Sequence, residues 1–270
     1  MWTAEGRERY EEDGRRYPSD LADAERGLVR SLLERDATLA EDLRVMVGGC
    51  LHLAGEGCRW RSLPEDFGPW RTVRGYRDRF HRDGAWADAA AVPTPAARAR
   101  LGKGPAPSAG IVDSRSVTSG PRRGERGVDG DEEVGGIERH APTCSFGLVP
   151  AVLVSAASLH DTHGLEPLLE RAAGAGRDLR RVEVDAIHAG PAVRAAAGRH
   201  AVEVQVSLRD PAARGVAPLP VRWRIEATFG TLTNRHRRLA RNLEQSGEAA
   251  ENVVELANLR RVLRVLTRPA

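Results

Sequence analysis

The sequence predicts a mixed α/β fold preceded by a small helical module, and three observations carry that expectation. Strand-like apolar runs at 109–114, 144–155, 182–185 and 202–206 are interleaved, from residue 165 onward, with helical patterns at 165–173 and 191–197, the order of an α/β layer. At about 100° per residue, Ile225, Phe229, Leu232, Leu239 and Leu243 fall on one stripe of a long helix, with Glu226 on the adjoining face beside Arg222, Thr233 and Arg237. Residues 17–104 read as helices alone.

In chain order, residues 1–16 are charged and without period, as in a flexible tail. Ser19 or Asp20 can cap a helix that buries Leu28, Val29, Leu32 and Leu33, and a second helix presents Leu39, Leu43, Val47 and Leu51. A third starts near Trp70 and carries Val73, Tyr76 and Phe80, leaving Arg71, Arg74, Arg77 and Arg79 on its surface. Three short helices with a basic last member fit a helix-turn-helix-like module, whose last helix enters the major groove. A helical bundle with a solvated arginine face fits equally well. Trp60 and Trp70, at the turn 57–69, are assigned first to a small aromatic core.

Residues 87–110 turn to Ala, Pro and Gly, the composition of a linker with a helical start, and place a boundary near residue 105. The expected organisation is therefore a tail (1–16), a helical module (17–104) and a second domain (105–270). The last ends in a helix at about 249–266 that buries Val253, Leu256, Leu259, Leu263 and Leu266 and covers the sheet or forms a dimer face. Between 119 and 136 glycines at 120, 124, 127, 130, 135 and 136 interrupt any hydrophobic period, so this stretch reads as a loop. It lacks the spacing and terminal Lys-Ser/Thr of a P-loop, which argues against ATP binding.

Of 41 cations only Lys103 is a lysine, and the pI is about 9.0 at a net charge of +3. Arginine suits bidentate contact with phosphate and base edges. With 38 acids beside the cations, however, composition favours a nucleic-acid partner only mildly. Cys50, Cys58 and Cys144 form neither a disulfide framework nor a zinc-ligand spacing and suit a reducing compartment. The first residues lack a signal-like apolar segment, and the longest nearly apolar run, 148–159, falls short of the ~20 residues that span a bilayer. The expected location is cytoplasmic, with no membrane partner.

Asp113 and Asp185 each close a strand-like run, and Glu226 stands on a helix. Strand ends of α/β sheets are where ligand sites gather. Carboxylates brought together there would repel one another unless a cation sat between them, and an all-oxygen donor set suits Mg²⁺. Taken alone, Glu226 is better explained by an i,i+4 pair with Arg222 on an ordinary amphipathic helix. Other chemistries are weaker: His160, His163 and His188 lack the spacing of a defined metal site, and Ser114 and Ser155 lack a nucleophile elbow.

Several segments carry a resemblance in their order and joint presence. They are Ser19-Asp20-Leu21-Ala22-Asp23, Gly57-Cys58-Arg59-Trp60-Arg61-Ser62-Leu63-Pro64, Phe67-Gly68-Pro69-Trp70-Arg71-Thr72-Val73, Val112-Asp113-Ser114-Arg115-Ser116-Val117, Arg139-His140, Asp185 with Ala189-Gly190, and Arg222-Trp223 through Glu226-Ala227-Thr228-Phe229 to Arg237-Arg238-Leu239. Together, over about residues 16–264, they resemble the DDE transposases of bacterial insertion sequences, in the group named after insertion sequence five. The resemblance implies a ribonuclease H-like catalytic domain with Asp113 on the first strand, Asp185 on a neighbouring strand and Glu226 on a helix against the sheet.

It further implies that these three residues are the catalytic set and the ligands of two Mg²⁺ ions, for which Mn²⁺ can substitute. The implied reaction is metal-dependent cleavage at the ends of the element, followed by transfer of the freed 3′-hydroxyl into target DNA. The implied partners are double-stranded DNA, as terminal inverted repeats and target, and a second copy of the chain in the synaptic complex; in a bacterial cell the protein would be nucleoid-associated. DNA contacts are expected from Arg71, Arg74, Arg77, His140, His188, Arg222, Arg235, Arg237 and Arg238. Asp161 falls where the family also has acids, a position that would support the site from behind. Three departures stand against the pattern. Acids Glu132, Glu133 and Glu138 enter a stretch that is lysine-rich in relatives, Ala186-Ile187-His188 replaces glycines and a tyrosine after Asp185, and Ala227 follows Glu226 where arginine is usual. The alternative reading is a catalytically decayed DNA-binding remnant of such an enzyme.

Overall fold

The computed structural model describes residues 16–33, 43–91, 93–102, 104, 109–120, 124, 126–130, 133–144, 147–149, 151–159, 164–174, 180–185, 190–207 and 222–267; for Ser31, Leu32, Ala172, Ala173, Gly174, Asp185, Arg222, Trp223 and Arg224 it describes the backbone alone. Residues 1–15 of the expected tail, Leu39, Lys103, His160, Asp161, His163 and His188 lie outside the described residues.

The first helix, α1 (Asp23–Leu33), opens where Glu25 reaches back to accept a hydrogen bond from the amide of Ala22 at 3.0 Å, the returning half of a capping box. Neither expected cap serves it. Asp20 accepts from the amides of Arg16 and Tyr17, and Ser19 bonds His52 Nδ1 at 2.9 Å, so both shape the turn before the helix. Helices α2 (Leu43–Glu56) and α3 (Trp70–Arg82) follow, with Val73 and Phe80 buried as the periodicity requires. Helices α4 (Ala85–Ala91) and α5 (Thr94–Arg100) occupy what was expected to be a linker. Alanine is the best helix former, and here its small side chain lets helices approach: Trp86, Ala89, Ala90 and Ala97 are all buried.

Among the described residues, six strands then make one mixed sheet: β1 (Ala109–Thr118), β2 (Gly127–Asp129), β3 (Val134–Thr143), β4 (Leu153–Ala156), β5 (Arg181–Asp185) and β6 (Glu203–Ser207). Their order is β2-β3-β1-β5-β6, with β4 also on β3; β1 is antiparallel to β3 and parallel to β5, and β5 is parallel to β6. Helices α6 (Leu165–Gly174) and α7 (Pro191–Arg199) cover one face, where Val112, Val182 and Val184 pack on Leu165, Leu168, Leu169, Val193 and Ala197. The other face presents Ile111, Val117, Ile137, Ala141 and Val154 to α8 (Arg222–Arg235) and α9 (Gly247–Thr267). Two strand expectations are corrected. Residues expected in a loop form β2 and the start of β3, whereas among the described residues of 144–155 only 153–155 are strand. The apolar stretch before β4 takes its backbone partners from α9. The Asn258 side chain accepts from the Val149 amide at 3.0 Å and donates to its carbonyl at 2.7 Å, and Glu251 accepts from the Val154 amide at 2.9 Å.

Helix α9 is buried nearly all round because it lies between the sheet and the N-terminal helices. One apolar cluster runs from Leu21, Val47, Phe67 and Trp86 through Ile111 and Ile137 to Ile225, Leu256 and Leu263, so the helical and sheet parts share a core. No helix among the described residues is long and apolar enough to cross a membrane.

A charged contact on this seam sets a pH dependence. His81 on α3 bonds Glu255 on α9 at 2.9 Å, and that hydrogen bond raises the His81 pKa above its usual 6.5 against the opposing effect of burial. Because the folded-state value is the higher one, the contribution to stability is full below about pH 6.5 and falls as pH rises through the folded-state pKa. Urea midpoints at pH 6 and pH 8.5 should therefore differ less for Glu255→Gln than for the wild type.

Candidate active site

The register between β1 and β5 places two of the three expected acids together. Ile111 is paired with Glu183, an offset of 72 residues, and the same offset two positions further aligns Asp113 with Asp185. Adjacent strands lie about 5 Å apart, and residues in parallel register share a face. Asp185 closes β5 opposite Ser207 of β6, and Ser207 Oγ donates to Glu183 Oε1 at 2.6 Å. Residues Ile111, Asp113, Arg115, Glu183 and Asp185 thus share the sheet face that α8 and α9 cover. The cover is incomplete there: Asp113 is half-buried and Arg115 exposed, between buried Ile111 and Val117.

Glu226 comes to the same face through α8. Ile225, Phe229 and Leu232 turn into the core, leaving Glu226 exposed on the helix flank. The chain after α8 is tied to the far end of β1, where Ser119 bridges Asn242 and the Asn242 amide donates to the Thr118 carbonyl at 3.0 Å. From that tie, β1 runs back about 20 Å to Asp113 at ~3.3 Å per residue, and α8 runs back from Arg235 about 14 Å to Glu226 at ~1.5 Å per residue. Glu226 thus stands on the helix that packs against the face holding Asp113 and Asp185. Gly147 seats against α8 two residues beyond Glu226: with φ at +69° and Thr228 Oγ1 2.4 Å from where a Cβ would lie, only glycine fits.

The expected single stripe on α8 is interrupted. His236 leaves the helix with an extended backbone, and its Nδ1 bonds the Leu232 carbonyl at 3.1 Å; burial pushes its pKa down to about 4, so the ring is neutral and that nitrogen donates. Leu239 is still buried, but in the turn that follows, and Leu243 is exposed. Arg139 of β3 holds that turn, donating to the Leu239 carbonyl at 2.7 Å from a buried position where desolvation lowers its pKa to about 10.

The expected DNA contacts divide. Arg71, Arg74, Arg235 and Arg237 are exposed, and Arg222 lies in the first turn of α8. Arg77 and Arg238 are corrected, being only 1% and 5% exposed. Both clasp Glu244, at 3.4 and 2.7 Å; Arg77 also pairs with Asp78 and lies 4.9 Å from the Trp60 ring centroid, and Arg238 donates to the Cys58 carbonyl. Their charges are spent joining the N-terminal helices to the turn after α8. His140 is corrected as well: 3% exposed, it lies on the opposite face of the sheet, bonded to Ser155 Oγ at 2.9 Å. Arg115 and Glu183 were missed, although a period of two from Asp113 and Asp185 finds both. Elsewhere among the described residues, ligand atoms of Glu166, Glu170 and His200 lie within 4.8 Å of one another, but Arg199 already pairs with Glu166.

Residues 104–259, more than half of the chain, match the family model of the transposase DDE domain. The chain belongs to the DDE transposases. Residues 21–90 match a second model, described as "Putative transposase of IS4/5 family" (DUF4096), which puts this DDE transposase in that superfamily. No curated protein matches the chain. The DDE domain implies a ribonuclease H-like fold, and the sheet order β4-β3-β1-β5-β6, with helices on both faces, is the mixed architecture expected from the sequence.

Proposed function

We propose that Asp113, Asp185 and Glu226 form the catalytic set of a transposase that cleaves DNA at the ends of an insertion sequence and joins the freed 3′-hydroxyl to target DNA. The observation that carries this reading is the strand register, which sets Asp113 beside Asp185 on the face where α8 brings Glu226. The donor set fits a hard divalent cation: all three ligand groups are carboxylates, Asp113 is half-buried and Glu226 exposed, so a phosphodiester can reach them. Two Mg²⁺ or Mn²⁺ ions, when bound, supply an activated water and stabilise the leaving oxygen.

The rest falls to the chain itself. Arg235 and Arg237, exposed at and just beyond the end of α8, can grip the backbone of the cleaved strand, and Arg115 is placed to contact phosphate beside Asp113. Exposed Arg71 on α3 suits duplex DNA flanking the cut. Within the superfamily, the joint presence and order of the segments quoted above favour the insertion-sequence-five group, and pairing of two DNA ends calls for a dimer.

The test is nicking of a labelled duplex carrying the element's terminal inverted repeats, with Mg²⁺, with Mn²⁺ and with chelator. The wild type should cut at the repeat boundary only with a divalent ion, and Asp113→Asn and Asp185→Asn should not cut. Binding without cutting under either ion would instead make this chain a DNA-binding remnant.

A further inference from the structure

We propose that a cleft between the N-terminal helices and the far end of β1 binds an unpaired DNA strand by stacking and phosphate contact. This rests on the transposase reading but concerns a surface apart from the three acids. The cleft holds about 790 Å³ and is walled on one side by the turn 59–62 and α3, on the other by Ser119, Gly120, Gly124 and Arg126 and the turn 238–244. That volume lies within the roughly 300–1,000 Å³ of small-ligand sites, enough for an unstacked base and its sugar but not for a duplex.

Its chemistry suits a single strand. Trp60 and Trp70, both half-buried, line the cleft with exposed Arg59, Arg61, Arg74 and Arg126. The buried guanidinium of Arg77 lies over the Trp60 ring at 4.9 Å and is not part of the lining, which leaves the other indole face for a base. Trp70 carries the guanidiniums of Arg71 and Arg61 at 5.3 and 6.0 Å. The lining acid, Glu244, is neutralised by Arg77 and Arg238. Indole faces among phosphate-binding cations are the pattern of single-strand grooves, where each stacked base contributes about 5- to 150-fold in affinity.

The walls are fixed by the chain's own contacts. Ser119 and Asn242 are bridged, and Gly124 touches the Gln245 backbone so closely that a Cβ would meet its carbonyl oxygen at 2.8 Å. The chain that follows β1 and the turn that follows α8 both line this cleft.

Fluorescence anisotropy tests the proposal with the full chain, a labelled oligothymidine of about 12 nucleotides, a blunt duplex of equal length and a ribo-oligonucleotide. The DNA single strand should bind about tenfold or more tighter than the duplex, at least as tightly as the RNA, and should quench tryptophan emission. Arg61→Gln with Arg126→Gln, both at exposed positions, should flatten the salt dependence of single-strand binding by about 1.4 in log–log slope, at ~0.7 per lost contact. Trp70→Ala should weaken single-strand binding and reduce the quench, with the circular-dichroism spectrum unchanged. Equal affinity for duplex, preference for RNA, or an unchanged slope in the double variant would overturn the proposal. Nicking by the wild type with no single-strand preference would sink the cleft and keep the transposase; single-strand binding without nicking would do the reverse.

Discussion

Glu226→Gln is expected to slow DNA nicking by more than about a hundredfold, because a group one step behind a metal ligand already contributes 10–100-fold and a ligand itself contributes more. The substitution keeps the size and helix propensity of the side chain and removes only its charge. Glu226 is exposed while Ile225 and Phe229 hold α8 in the core, so the stability of the variant should stay within about 0.5 kcal/mol of the wild type. The decisive comparison is with Arg235→Gln and Arg237→Gln. Those variants should weaken duplex binding and flatten its salt dependence by about 0.9 per lost contact, with little change in nicking rate at saturating DNA. Nicking by Glu226→Gln at the wild-type rate would remove this residue from the catalytic set.

Elements with one dominant period are legible in the amino-acid sequence alone. β5, β6, α6, α7 and α9 are found within a few residues of where alternation or an apolar stripe puts them. β3 is not legible in this way. It contains Gly135, Gly136 and Pro142, and it buries Glu138, Arg139 and His140, a composition that strand propensity disfavours. What holds these groups lies on other elements: Arg139 Nη1 donates to the Leu239 carbonyl and His140 bonds Ser155 Oγ. Arg77 is misread through its charge. Helical spacing puts it on the buried stripe, four residues after Val73 and three before Phe80, but a cation reads as surface, and its partner Glu244 is 167 residues away. The acids Asp113, Asp185 and Glu226 are visible because an acid that follows an apolar run or stands on a helix flank is a local property, although β1 runs on past Asp113 to Thr118. The register that aligns the first two is not local, and no spacing in the sequence states it.

The shared core makes a second strong expectation, centred on Arg260 of α9. Its guanidinium donates to Glu25 Oε2 at 2.7 Å and to the carbonyls of Pro18 and Asp20 at 3.1 and 3.2 Å, and both side chains are buried. Glu25 uses the same oxygen to accept from the Ala22 amide at the start of α1, so one ion pair fixes the helix entry, the turn before it and the last helix together. Removing one partner leaves the other charge buried and uncompensated. Arg260→Met should therefore cost about 3–5 kcal/mol in urea unfolding, a large part of the ~5–15 kcal/mol that holds a typical domain. Replacing both partners by apolar residues, Arg260→Met with Glu25→Leu, should recover much of that loss, since buried pairs exchanged for hydrophobic groups of like volume are often neutral. The recovery should be incomplete by about 1 kcal/mol, because the Ala22 amide loses its acceptor in the double variant. A cost below about 1 kcal/mol for Arg260→Met would mean that α1 is held by its apolar contacts alone. The expected large cost would instead tie the fold of the helical module to α9, which covers the same sheet face as the three acids.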